Sequence, residues 1–152
     1  MPDRPPSGTL SFRRLDPEGA GQPAGTWDRA ARTLVPVRTT WRRRPARAGR
    51  GSTVSLHSTE HGVDLMLSRS ARSTVRVPVV DLRTASCQPS GLLRALADDL
   101  DAGGTRGERE VVDALRAQAR FLEYDDHELA ASPIGLRSGD PSRWWDLFGL
   151  LP

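Results

Sequence analysis

The sequence predicts an α+β fold: an antiparallel β-meander covered on one face by an αα-hairpin, with a short C-terminal helix. Three observations point there. Between Thr53 and Val80 apolar residues recur at every second position, broken by short polar turns. After Pro89 they recur at every third or fourth position. The pair Gly103-Gly104 then divides the helical stretch in two.

Taken in order, residues 1–8 are rich in proline and charge and are expected to form a disordered tail. Residues 9–152 form a single domain: strand-rich over 9–82, helical over 87–124 and aromatic over 140–152. Thr9 to Leu15 places Leu10 and Phe12 on one side, as a first strand requires. Asp16 to Gly25 reads as a loop by composition. Trp27 to Trp41 is ambiguous: Leu34, Val35 and Val37 suggest a strand, and Pro36, which cannot donate to a ladder, confines it to an edge. Arg42 to Gly51 is basic and expected to be an exposed loop.

The meander follows. Val54 and Leu56 alternate with Ser55 and His57, Glu60-His61-Gly62 makes a turn, and Val63, Leu65 and Leu67 alternate with Asp64, Met66 and Ser68. Val75, Val77 and Val79 complete it, with Pro78 marking an edge or a bulge. Leu92, Leu96 and Leu100 then give one helical stripe, and Val111, Val112, Leu115, Ala119 and Leu122 a second. Thr105 to Glu108 fits a capping box for the second helix. Asp140-Pro141 reads as the opening of a short final helix over Ser142–Phe148. The strand order, with its Gly62-Val63 turn, its Val75-x-Val77-Pro78 strand and a leucine-rich helix, resembles bacterial pleckstrin-homology-like modules over about Thr53 to Leu100. A second long helix departs from that pattern, and the resemblance transfers no residue and no function.

Composition bounds the rest. A chain of 152 residues suits one domain with a core. All 22 basic residues are arginine, and asparagine is absent, a bias expected of a GC-rich bacterial genome. Residues 1–50 carry eleven Arg against four acids, and residues 101–152 six Arg against ten. The basic end therefore either meets an acidic partner or folds back on the acidic one. Met1 to Pro6 has no apolar segment of signal-peptide type, and no apolar run approaches the ~20 residues of a membrane span, so a cytoplasmic chain is expected.

Candidate sites are few. Residues 29–50 hold eight arginines and no acid. Arg38, Trp41, Arg42, Arg43, Arg44 and Arg47 could neutralise phosphates and stack a base, the chemistry of single-stranded nucleic-acid binding. A solvated loop folded back on the acidic half is the plainer account. His57 and His61 have H-x3-H spacing but straddle a strand end and its turn, so surface histidines are expected instead of a zinc pair with His127. Cys87, the only cysteine, is read as a buried, inert thiol. Gly103 to Gly107 lacks the lysine of a phosphate-binding loop and reads as a helix stop and cap. Asp125, Asp126 and Glu128 lack calcium-loop spacing.

The terminal Trp144, Trp145, Leu147 and Phe148 form the most aromatic stretch. They close the core, insert into a partner's groove or, least in keeping with Asp140 and Asp146, sit at a membrane interface. With no convergent catalytic set, the sequence is read as a non-enzymatic protein-interaction module that docks an unidentified protein partner through these residues and needs no cofactor. Nucleic-acid binding by the arginine-rich segment is the alternative.

Overall fold

Strands β1 (Thr9–Arg13), β2 (Pro23–Asp28), β3 (Thr33–Pro36) and β4 (Ala46–Arg47) form one antiparallel sheet in chain order. Strands β5 (Thr53–Ser58), β6 (Gly62–Ser68), β7 (Thr74–Asp81) and β8 (Ser86–Cys87) form a second. Helices α1 (Ser90–Asp101) and α2 (Arg106–Leu122) follow as a packed hairpin. The computed structural model describes residues 7–37, 45–48, 52–69, 74–103, 106–124 and 128–138. The expected final helix over Ser142–Phe148 lies outside them.

The fold is the predicted α+β mixture, with one difference: the strands divide into two sheets where a single one was expected. Register explains how both sheets feed one core. In the first, Leu10, Trp27, Leu34 and Ala46 align across the four strands, and Trp27, Leu34 and Ala46 are fully buried. In the second, Val54, Leu67 and Val75 align, as do Leu56, Leu65 and Val77. Alternation therefore puts one apolar row per strand inward and leaves Ser55, His57, Asp64, Met66 and Arg76 on the other face.

Several local expectations need correcting. The loop expected over Asp16–Gly25 ends early, because β2 begins at Pro23, whose missing N–H costs nothing at a strand start. The ambiguous stretch resolves into the end of β2 and β3. Pro36 stands opposite Gly25 on one side, and the two-residue β4 stops short of it on the other. The exposed loop expected over Arg42–Gly51 contains β4, with Ala46 and Ala48 buried on either side of exposed Arg47. That alternation was hidden by the density of arginine around it.

Pro78 marks a bulge, one of the two roles read from the sequence. Val63 pairs with Val80 and Asp64 with Pro78, so Val79 is the additional residue. At the start of β6, Gly62 lies against the Val80 carbonyl, where a Cβ would overlap the oxygen.

Leu93, Leu96, Ala97 and Leu100 are buried on α1, and Val111, Val112, Leu115 and Ala119 on α2, which packs on β5. Arg116 of α2 ties the hairpin by pairing with Asp98 and Asp101 of α1, at 2.9 and 3.1 Å. Buried glutamines complete the assembly. Gln88 donates to the carbonyls of Arg13 and Pro78, at 2.7 and 2.9 Å, joining the two sheets. Gln118 accepts the backbone N–H of Ile134 at 2.9 Å. Ile134 sits fully buried between two short 3₁₀ turns, Leu129–Ala131 and Gly135–Arg137, which the sequence reading did not anticipate. Ser58 at the end of β5 donates a short hydrogen bond to the Arg137 carbonyl. No helix among the described residues is long and apolar enough to cross a membrane.

Candidate functional site

The bulge at Asp64 opens onto a cleft of about 520 Å³ between the outer face of β6 and β7 and the near end of the first sheet. Its apolar wall comes from Ala24, Pro36, Val37, Pro78 and Val80. The rest is charged, and most of the charge is matched within the wall. Arg14 bonds Asp16 through Nε and Nη2, at 2.9 and 2.6 Å. Its guanidinium lies over Gly19, where any side chain would displace it. Arg83 bonds Asp81 through Nη2 at 2.8 Å, and His61 Nε2 lies 3.7 Å from Glu60. The turn carrying His61 is pinned by Thr59, whose hydroxyl accepts the Gly62 N–H at 3.0 Å.

These pairs differ in how they hold their protons. Arg14 hydrogen-bonds Asp16 and keeps that carboxyl below the usual range. Burial alone would raise Asp81, but hydrogen bonds from the Arg83 guanidinium and backbone N–H reverse this and leave it lowered. Asp64 behaves oppositely. Burial pushes its carboxyl up, and the attraction of Arg76 and His57 only partly offsets this. No hydrogen bond or ion pair holds Asp64 among the described residues. Its opposite neighbour on β7 is Pro78, which has no N–H to offer.

The cleft was not singled out from the sequence. Asp64 occupies a polar position in an alternating strand, where it looks like any solvated residue. A carboxyl opposite a strand proline was the one available signal.

The residues that were singled out fare differently. Arg38, Trp41, Arg42, Arg43 and Arg44 lie outside the described residues, as do His127, Asp125, Asp126, Trp144, Trp145, Leu147 and Phe148. Arg47 is exposed on β4. Arg29 and Arg32 turn inward to acids of the helical half. Arg29 bonds Asp99 of α1 twice, through Nε and Nη2, each at 2.9 Å. Arg32 lies 3.7 Å from Glu108 of α2 and covers Gly103. The plainer account of that basic segment therefore holds for these two. Glu108, read as half of a capping box, is buried and faces Arg32, while Thr105 lies outside the described residues.

His57 stands half-buried in β5 and His61 exposed in the turn, as expected of residues straddling a strand end. No group of three or more metal-binding side chains occurs among the described residues. Cys87 is half-buried on β8, with Gln118 Nε2 3.7 Å from its sulfur. Burial pushes its thiol up to about 11. No family model, curated protein or solved structure matches the chain. Its own geometry carries the functional argument.

Proposed function

We propose that the protein is a non-enzymatic interaction module that docks a protein partner through Trp144, Trp145, Leu147 and Phe148. The observation that carries this reading is in the sequence: Trp144, Trp145, Leu147 and Phe148 hold two of the chain's four tryptophans and form its most aromatic stretch, the composition of anchor residues in an amphipathic docking segment. The chemistry of Cys87 supports the non-enzymatic half, since a thiol raised to about 11 is a poor nucleophile at neutral pH.

Removing residues 141–152 tests the proposal. The shortened chain is expected to unfold with the cooperativity of the full chain and to lose its protein partner in nuclease-treated pull-downs. Wholesale unfolding on truncation would assign the aromatics to the core and sink the reading. The nucleic-acid alternative retains Arg38, Trp41, Arg42, Arg43, Arg44 and Arg47 but has lost Arg29 and Arg32 to internal ion pairs. Recovery of nucleic acid in untreated pull-downs, weakening steeply with salt, would revive it.

A further inference from the structure

We propose that the cleft at Asp64 binds a free aliphatic α-amino acid, its ammonium paired with Asp64, its carboxylate with Arg76 and its side chain against the proline–valine wall. This goes beyond docking through the aromatic segment and does not rest on it.

The charge inventory of the cleft carries the argument. Arg14 with Asp16 and Arg83 with Asp81 are matched pairs, and Glu60 lies solvent-exposed at the rim, 3.7 Å from His61. Asp64 and Arg76 remain, and neither makes an ion pair or hydrogen bond among the described residues. They lie on adjacent strands of one face: Asp64 stands opposite Pro78, and Arg76 opposite Met66. They attract each other without bonding. The fold thus presents one anion and one cation, separated, at the mouth of a partly desolvated space. A bare cation entering there meets the guanidiniums of Arg14, Arg76 and Arg83. A bare anion meets Asp64 beside Asp81. A molecule with both charges on adjacent carbons satisfies the two unmatched groups at once, and an ammonium offsets the desolvation that Asp64 suffers alone.

Size and lining narrow the class. About 520 Å³ lies inside the range of about 300–1,000 Å³ usual for small-molecule sites. Pro36, Val37, Pro78 and Val80 offer an apolar surface without hydrogen-bond donors, suited to an aliphatic side chain over a polar one. The walls are also held in advance. Arg14 is fixed by two bonds to Asp16, and the His61 turn is fixed by Thr59.

Calorimetric titration of the full chain with L-leucine, L-leucinamide and N-acetyl-L-leucine tests each contact. Leucine is expected to bind saturably. Its amide, lacking the carboxylate, and its acetyl derivative, lacking the ammonium, are each expected to bind about tenfold more weakly or less. In Arg76→Gln the advantage of leucine over leucinamide should vanish. In Asp64→Asn the advantage over N-acetyl-leucine should vanish. Circular dichroism confirms that both variants are folded. Absence of saturable heat with leucine overturns the proposal, and so does unchanged leucine affinity in folded Asp64→Asn.

Discussion

The indole Nε1 of Trp27 and the Oδ2 of Asp99 lie 2.9 Å apart in the interior, 72 residues apart in the chain. Arg29 grips the same carboxylate with two further bonds. One buried acid of α1 thereby satisfies the indole of a core tryptophan and fixes a strand end of the first sheet. Its substitution tests how strongly the helical half is fastened to that sheet. Asp99→Asn keeps the shape but removes the charge, and is expected to cost about 2–3 kcal/mol in urea unfolding. Asp99→Ala should cost more, since Trp27 then loses its acceptor as well.

The second inward arginine behaves differently. Arg32 has φ of +51°, a left-handed conformation that is strained for a side-chain-bearing residue. Its Nε and Nη2, and both carboxylate oxygens of Glu108, are buried without hydrogen-bond partners among the described residues. Arg32→Met leaves Glu108 as an uncompensated buried charge, and about 2 kcal/mol of stability should be lost. The double variant Arg32→Met with Glu108→Leu should recover most of that loss. Backbone strain at position 32 is common to both variants and cancels in the comparison, which thermal unfolding can read directly.

Asp64 should impose a pH dependence of unusual sign. Its folded carboxyl is raised above the ordinary value of 3.8, so the folded chain holds the proton more tightly than the unfolded one. The associated stability is full below about pH 4 and is lost as pH rises through the folded value. Asp64→Asn is therefore expected to melt higher than the wild type at pH 7 and to converge with it in acid. Asp16 and Asp81 run the other way. Both are lowered in the fold, so their contribution is present above about pH 4 and disappears as pH falls through their folded values. Their alanine variants should lose stability at pH 7 and little at low pH.

Cys87 should resist alkylation. With its thiol near 11 against an ordinary 9.0, its thiolate fraction at pH 8 is about a hundredfold lower than in an unfolded chain. Iodoacetamide labelling followed by mass spectrometry should be slow in buffer and fast in denaturant. Rapid labelling of the native protein would contradict the burial of this thiol.

Gly62 carries a backbone requirement. Any Cβ there overlaps the Val80 carbonyl oxygen, which a strand in mid-sheet cannot easily move. Gly62→Ala is expected to cost about 1–3 kcal/mol. Amide exchange should accelerate along β6 and β7 first, because the lesion lies in their ladder.

The parts of this fold that sequence reading captured are those whose determinants are local. Val54 to Val79 shows its period in a single window, and so do Leu93 to Leu100 and Val111 to Ala119. What escaped depends on distant partners. Nothing near Arg29 indicates that its mate is 70 residues away, and Ile134 stands among Leu129, Ala130, Ala131 and Leu136 without a strand or helix period to mark it until Gln118 meets its backbone. The division into two sheets escaped for a related reason. Each sheet alternates correctly by itself, and contacts distant in the chain, such as the bridge of Gln88 to Arg13 and Pro78, decide how the two meet. The cleft was illegible because Asp64 becomes unusual only through the pairing of β6 with a proline-bearing β7.

The hydrogen bond from Ser58 to the Arg137 carbonyl has a spatial consequence. Ser58 precedes Thr59, a residue of the cleft rim, so the turn Gly135–Arg137 is moored beside that opening. A change that loosens that turn would therefore reach the cleft through a single hydrogen bond.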